Sequence, residues 1–542
     1  MLQGIMKCMN IVYPALLSIL ISVLLSACST VPADYNVTPT YAYTDAETRK
    51  TTLAAEAQKV LGDRADESAM YLVAEGTEAF LTRMALLKLA ERSVDVQYFI
   101  WKSDLIGKLL FNGLLEAADR GVRVRILLDD LTLDSATVDN LYALDQHKNI
   151  EIRIYNPVST TGHRVMGAIL NPARANRRMH NKSFTVDSQY TIVGGRNIET
   201  NYFSANERSN YADLDIISTG PVVKDVNKQF DIYWNSRLAV PVNVFEHNQT
   251  KEDELAAARE ELIEFAKSKE DSVYALDLKN SEMFQRILNG IKGINRDSLY
   301  RGKATVVYDD PDKTLGKSAN ETVYMTTLMR PHIEIIEQSL ELISPYFVPG
   351  VEGTQYMADM VKRGINVRVI TNSLSSTDGV MAQSGYARSR IALLKAGVEL
   401  YELKAKAKSK ASRSLRRSAE AKSALHAKTY IFDRKEVYIG SFNFDPRSAK
   451  INTELGIVCA IPEMAEFIAE TMFDEKLAET TYRVELVVET EDVDGVEVQE
   501  ENVVWIETEN GKEIRHNTQP ETSGWRRFNE GIYSILPIES QL

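Results

Sequence analysis

Two eight-residue segments constrain this chain more than any other feature: HNKSFTVD at 180–187 and HAKTYIFD at 426–433. Each carries a histidine, a lysine two positions on and an aspartate five further: His180, Lys182, Asp187 and His426, Lys428, Asp433. Each is followed, at equal spacing, by Gly-[Gly/Ser]-x-Asn: Gly194, Gly195 and Asn197 in one copy, Gly440, Ser441 and Asn443 in the other. Agreement at every one of these positions makes coincidence negligible. The likeness extends upstream, where AADRGVRVRIL around Gly121 corresponds to MVKRGINVRVI around Gly364. The chain therefore holds two copies of one domain, roughly 245 residues apart. That period is far too long for a solenoid unit. Two such halves packed face to face would bring equivalent loops together about a pseudo-twofold axis.

Each copy carries a β-α-β pattern. SVDVQYFIW reads as a strand, LIGKLLFNGLLEAADRG as a helix closed by Gly121, and VRVRILLDD as the next strand. LELISPYFVPG, TQYMADMVKRG (closed by Gly364) and INVRVITNS repeat it. This is the signature of an α/β domain with parallel strands flanked by helices. The divisions we read are 1–28 as an export signal, 29–64 as a tether, and 65–247 as the N-terminal domain. A helical connection then covers 248–318, the C-terminal domain 319–480, and an acidic strand-rich extension 481–542, with ENGKEI as a hairpin turn. The carboxylates crowded between Glu485 and Glu501 read as a solvated face.

The N-terminal reading rests on IVYPALLSILISVLLSAC, apolar from Ile11 to Ala27 after a lone Lys7. It is shorter than a comfortable membrane span and ends in small residues. LLSAC resembles the lipobox of bacterial lipoproteins, in which the signal is cut before the cysteine and Cys28 is lipidated; the competing reading is an uncleaved anchor. Both place the body on a bacterial membrane, outside the cytoplasm and facing the periplasm. Ser29 follows in place of Asp, which is compatible with the outer membrane, and inner against outer membrane stays open. The three cysteines, Cys8, Cys28 and Cys459, offer neither metal-ligand spacing nor a disulfide framework. A net charge of −13 excludes a molecule built to coat nucleic acid, so any anion site is a local basic patch.

The paired motif supplies that patch. In an alternating strand, His and Lys two apart point to one face. The following strand, YTIVGG or VYIGS, carries the asparagine back beside them. Together the halves offer two imidazoles, two ammoniums and two carboxamides. Two histidines facing a phosphodiester suit one reaction. A neutral imidazole attacks phosphorus and forms a phosphohistidine, while the opposing imidazolium protonates the leaving alkoxide and then deprotonates the incoming hydroxyl. Lys182, Lys428, Asn197 and Asn443 would hold the non-bridging oxygens. No metal or other cofactor is needed, and no convincing ligand cluster is present. Each imidazole also needs an orienting acceptor. RSAKINTELG places Glu454 eleven residues after Asn443, and RSNYADLDI places Asp213 at the matching point. Asp187 and Asp433 read as structural, capping the turn after the strand.

These residues resemble the paired HKD motifs of the phospholipase D superfamily, over roughly residues 75 to 480. VDVQYFIW, LLEAADRGVRVRILLDD, NRRMHNKSFTVD, VGGRNI and GSFNFDPRSAKINTELG are most similar to bacterial cardiolipin synthases of the C type, as is Gly195 where many members have Ser. A lipoprotein signal is not general in that group. The resemblance implies a mixed sheet between helices in each half, a site at their interface, and phosphatidyl transfer with His180 as nucleophile and His426 as acid and base. Phospholipids are then the expected partners, phosphatidylglycerol first and phosphatidylethanolamine second. A hydrolytic phospholipase D with water as acceptor is the alternative. A nuclease fits less well, because a nucleic-acid groove wants interleaved aromatics.

Both approaches to the motif are basic. Arg174, Arg177 and Arg178 precede His180, and KAKAKSKASRSLRRSAEAK, from Lys404 to Lys422, precedes His426 without one aromatic. We expect Arg178 and Lys422 to meet substrate, and the 404–422 run to form either a collar for anionic headgroups or a solvated loop. RVMGAIL, 164–170, is either an interfacial segment or a buried helical turn.

Overall fold

The computed structural model describes residues 35, 37–159, 164–245, 254–281, 283–284, 298–316, 324–405, 422–493, 496–509 and 511–536. The first half contributes β1 (Ser68–Val73), β2 (Ser93–Tyr98), β3 (Arg123–Asp129), β4 (Ile150–Tyr155), β5 (Ser183–Val186), β6 (Tyr190–Gly194), β7 (Ser209–Ala212), β8 (Asp215–Thr219) and β9 (Ala239–Pro241). The second contributes β10 (Tyr300–Tyr308), β11 (Ser339–Ile343), β12 (Asn366–Asn372), β13 (Glu399–Leu403), β14 (Lys422–Leu425), β15 (Thr429–Phe432), β16 (Glu436–Gly440) and β17 (Leu455–Ala460). The extension adds β18 (Thr481–Val493), β19 (Val496–Glu509) and β20 (Lys512–His516).

All but β7 and β14 join one 18-stranded mixed sheet. Following the pairings across the first half gives β9-β4-β3-β2-β5-β6-β8-β1. β1 then pairs antiparallel with β10, and the second half continues as β17-β16-β15-β11-β12-β13. Read outward from the β1–β10 seam, the two halves repeat the same order, each with one parallel run: β2-β3-β4 and β11-β12-β13. This is the pseudo-twofold expected of the duplication.

The parallel runs follow from the sequence. β2 is buried along its whole length, as a strand covered on both faces must be. The crossover helices Leu105–Asp119 and Gly350–Lys362 end alike. In each, a glycine takes positive φ, 94° at Gly121 and 87° at Gly364. The next N–H then turns back onto the helix, from Val122 to Ala117 and from Ile365 to Met360. That is the C-terminal stop only a residue without a Cβ adopts cheaply. The seam itself is sealed by a cluster containing Met70, Val193 and Ile216 from one half and Ile439, Leu455 and Ile457 from the other.

Three expectations need correction. Much of 37–64, read as a tether, is folded: the helices Asp45–Thr48 and Thr52–Leu61 bury Thr48, Leu53 and Ala57. The Ala42 N–H also bonds Asp231, and the Thr40 N–H bonds Asn235. Apolar positions in a short helix were enough to dock it, though the stretch before it shows no periodicity. The connection 248–318 is not only helical, because 300–308 is the strand at the seam. The extension is not a separate unit, since β18 pairs with β13 and continues the sheet. The hairpin turn at ENGKEI does join β19 to β20.

Candidate active site

The two motifs meet through backbone pairing between halves. Met179 bridges Thr453 in parallel, and β14 runs parallel to β7 with Leu425 opposite Ala212. One residue beyond each pairing stand His180 beside Glu454 and His426 beside Asp213. The His180 N–H donates to Thr453 O at 2.8 Å and the His426 N–H to Ala212 O at 2.8 Å. The imidazoles are therefore held crosswise. His180 Nδ1 lies 2.8 Å from Glu454 Oε2 and His426 Nδ1 lies 2.7 Å from Asp213 Oδ2. Each half holds the other half's histidine. A carboxylate on Nδ1 fixes the ring and favours its proton there, leaving Nε2 for chemistry.

The expected strand placement is shifted slightly. β5 and β15 begin at Ser183 and Thr429, so His and Lys sit just ahead of them. Both lysines are buried and fold back: Lys182 Nζ donates to His180 O at 2.6 Å, and Lys428 Nζ donates to His426 O. The asparagines differ. Asn197 accepts from the Ile100 N–H at 3.2 Å and donates to the Tyr202 hydroxyl at 2.9 Å. Tyr202 Oη is 3.3 Å from His426 Nε2. Asn443 Oδ1 is buried without a hydrogen-bond partner among the described residues.

Electrostatics separate the two pairs. Burial, Lys182 and Lys428 push His180 well below the ordinary imidazole range. Burial and Lys428 also lower His426, but Asp213 opposes them. Burial works against ionisation of Asp213, yet the charge and hydrogen bond of His426, with Lys428 and Arg196, hold it down at about 2. Burial raises Glu454 to about 7 against the pull of Lys182 and Ser441. Burial drops Lys428 to about 8 and pushes Lys182 well below its usual range. Both imidazoles are thus pushed toward neutrality, His180 further than His426, whose partner Asp213 favours its charged form.

Asp187 and Asp433 do not touch the imidazoles. Asp187 accepts the N–H groups of Glu91, Arg92 and Ser93, and Asp433 those of Glu337, Gln338 and Ser339. Each clips its hairpin to the chain entering the neighbouring strand, more than it caps its own turn. Arg178 is not free to meet substrate: its guanidinium is buried against Asp129 at 3.2 Å and the carbonyls of Asn156, Arg174 and Arg177. A charge next to the motif in sequence was turned inward because Asp129 had to be neutralised. Lys404 is likewise no collar residue, being buried and 3.3 Å from Glu507. Lys422 is exposed at the start of β14. Residues 406–421 and Cys28 with its leader lie outside the described residues. Helix Arg164–Leu170 leaves Ile169 exposed.

Sequence reasoning missed several residues around the rings. Phe99 packs edge-on to His180 at 5.2 Å, and Tyr202 and Tyr211 pack on His426 at 4.9 and 5.3 Å. Arg196 bonds the carbonyls of Val73, Ala74, Tyr202 and Asp213, fixing the segment that carries Asp213. Only its place in VGGRNI hinted at this. Ser441 donates to Glu454. At the matching Gly195 a Cβ would come within 2.2 Å of Asp213 Oδ1. Serine with the longer Glu, and glycine with the shorter Asp, are thus two solutions to one spacing.

Comparison with known proteins agrees with this geometry. The family model described as "Cardiolipin synthase, PLD-like domain" matches residues 84–234 and again 329–475. Cardiolipin synthase C of Escherichia coli is 36% identical over 491 residues, 90% of this chain and 99% of that protein. Cardiolipin synthase B of Escherichia coli is 24% identical over 372 residues, 68% of this chain and 71% of that protein. The crystal structure of phosphatidylserine synthase from Haemophilus influenzae superposes with a TM-score of 0.51 at 12% identity, covering 79% of this chain and 92% of that one, which speaks to the fold. With both copies of the domain matched and one paired site built across them, the chain belongs to the PLD-like cardiolipin synthase family and is a phospholipase D-type phosphodiester transferase.

Proposed function

We propose that this enzyme transfers a phosphatidyl group between phospholipids to form cardiolipin, through a phosphohistidine on His180. The observation that carries the proposal is the crosswise pair of imidazoles, each on a carboxylate, with unequal electrostatics. His180 Nε2 attacks phosphorus. The P–O bond to the leaving headgroup breaks, and the imidazolium of His426 gives its proton to that alkoxide. His426, now neutral, takes the proton from the acceptor hydroxyl, whose oxygen attacks phosphorus and frees His180. Lys182 and Lys428, beside the two imidazoles, would stabilise the charge that builds on the non-bridging oxygens. The acceptor is the hydroxyl of a lipid such as phosphatidylglycerol, with phosphatidylethanolamine a candidate donor. Hydrolysis to phosphatidic acid needs only water in place of that hydroxyl.

The leader ending at Cys28 supports a lipoprotein held on a bacterial membrane and facing the periplasm. No helix among the described residues is long and apolar enough to cross a membrane. Incubating the purified enzyme with phosphatidylglycerol, with and without phosphatidylethanolamine, and reading the lipids by mass spectrometry tests the function. Cardiolipin is expected, and His180→Ala should abolish it. Phosphatidic acid as the sole product would establish hydrolysis, and cardiolipin surviving in His180→Ala would remove the phosphohistidine.

A further inference from the structure

The last described helix, Gly524–Ile535, is built unlike the others. Trp525, Phe528, Ile532 and Ile535 recur at helical spacing, and all four face solvent, at 70, 56, 43 and 83% exposure. Trp525 and Phe528 stack at 5.5 Å. The opposite face is fixed to the protein. Glu530, the helix's one carboxylate, turns inward, where it accepts from Gln519 at 2.9 Å and lies 3.8 Å from Arg390. Arg388 donates to Tyr533 O at 3.1 Å. What the helix shows outward is therefore aromatic and aliphatic, with half-buried Arg527 at its edge, while Arg526 turns inward. On a chain of net charge −13 this is a cationic, apolar exception.

Its position ties it to the site. Arg526 donates to Thr377 O. The next residue, Asp378, accepts from Tyr211 at 3.0 Å and from Tyr346 at 2.8 Å. Tyr211 packs on His426. The helix is thus joined to the His426 rim through Thr377, Asp378 and Tyr211. An apolar stripe of this kind, with one arginine at its edge, does not suit water. It suits the boundary of a bilayer, where Trp and Phe enter the acyl margin and Arg527 meets phosphate.

We propose that helix Gly524–Ile535 is an interfacial docking element that seats the His426 side of the site on a bilayer carrying anionic headgroups. This rests on the phospholipid reading above, because a lipid substrate must be taken from such a surface. It is a second contact, independent of any lipid on Cys28, and it orients the site where an N-terminal anchor alone only tethers it.

The test uses the full chain and a property of its tryptophans. Trp101, Trp234 and Trp505 are buried, and Trp525 is exposed. Vesicles of phosphatidylglycerol with brominated acyl chains should quench the emission, and Trp525→Phe should lose that quenching. Brominated phosphatidylcholine should quench less. Phe528→Ser with Ile532→Ser should lower turnover of vesicular phosphatidylglycerol roughly tenfold, the effect of withdrawing two apolar side chains from the acyl margin, while turnover of monomeric short-chain phosphatidylglycerol stays unchanged. Quenching that survives in Trp525→Phe, or is equal on both lipids, overturns the proposal. So does a change of oligomeric state in Phe528→Ser with Ile532→Ser, which would make the face a self-association surface. If wild type turns over neither substrate, the functional reading fails, and the quenching alone still decides whether the helix docks.

Discussion

At the scale of single residues, the two halves have diverged where duplication would have kept them alike. Asp213 stands with Gly195, and Glu454 with Ser441. The shorter carboxylate stays ionised at about 2 and the longer one is carried up to about 7. That difference favours the proton on His426 and neutrality at His180. A direct consequence concerns pH. The anion at Asp213 raises the affinity of His426 for its proton, so Asp213→Asn must lower it. The alkaline limb of the kcat/KM profile, where His426 loses the proton needed by the leaving group, should move to lower pH in Asp213→Asn and stay in place in Glu454→Gln. Rates across pH with both variants check this, and a shift in Glu454→Gln alone would reverse the roles. The pairing of carboxylates with histidines was half visible in the sequence. Asp213 and Glu454 could be picked by matching positions in the two repeats. That each serves the histidine of the opposite half could not, because the parallel contacts at Met179–Thr453 and Leu425–Ala212 join segments more than two hundred residues apart.

At the scale of elements, the aspartate of each motif works as a fastener for a hairpin. Asp187 and Asp433 sit at φ of 52° and 51° at the tip of their hairpins, a backbone region that Asp tolerates better than bulkier residues. Each carboxylate gathers three N–H groups of the segment leading into β2 or β11. Losing these charge-assisted bonds should cost about 2 kcal/mol in Asp187→Ala. Asp433 is less buried, so Asp433→Ala should cost about 1 kcal/mol. Thermal unfolding of the two variants measures this, and turnover by the folded fraction should change little, since neither carboxylate touches a ring. Strand, helix and glycine stop were readable here from local pattern alone, as at Gly121 and Gly364. The inward turn of Arg178 was not, since its partner Asp129 stands at the end of β3, far back along the chain.

At the scale of the whole molecule, the extension after 480 completes the sheet of the second half. Trp505 is buried and donates to Glu402 at 2.8 Å, and Glu402 lies 3.3 Å from Arg390. Arg390 in turn faces Glu530 on the C-terminal helix. Covering β13 with β18 also removes an exposed strand edge. Trp505→Ala should cost about 3–4 kcal/mol through lost packing and the loss of the indole N–H from buried Glu402, which keeps Arg390. Its melting temperature is expected to fall with a loss of soluble yield, although the residue lies in the extension and not at the histidines. An unchanged melting curve would show that the extension is an appendage. From sequence its charges read as a solvated face because carboxylates crowd it between Glu485 and Glu501; the apolar residues that alternate inward, such as Val484 and Val504, decide its fate.

What the sequence determined by itself is whatever depends on spacing along the chain: the duplication, the β-α-β units, the glycine stops, and the polar residues that recur in register. Short-range geometry sets these, and the alternation of a strand or the period of a helix reports it directly. The tertiary structure decided everything that depends on which distant segments become neighbours. It joined the halves at β1–β10, gave each imidazole the other half's carboxylate, buried Arg178 and Lys404, and left the stripe of Trp525 and Phe528 facing out. A buried charge must find its partner wherever the fold supplies one, and that place is written in the packing of the sheet and not in the order of residues.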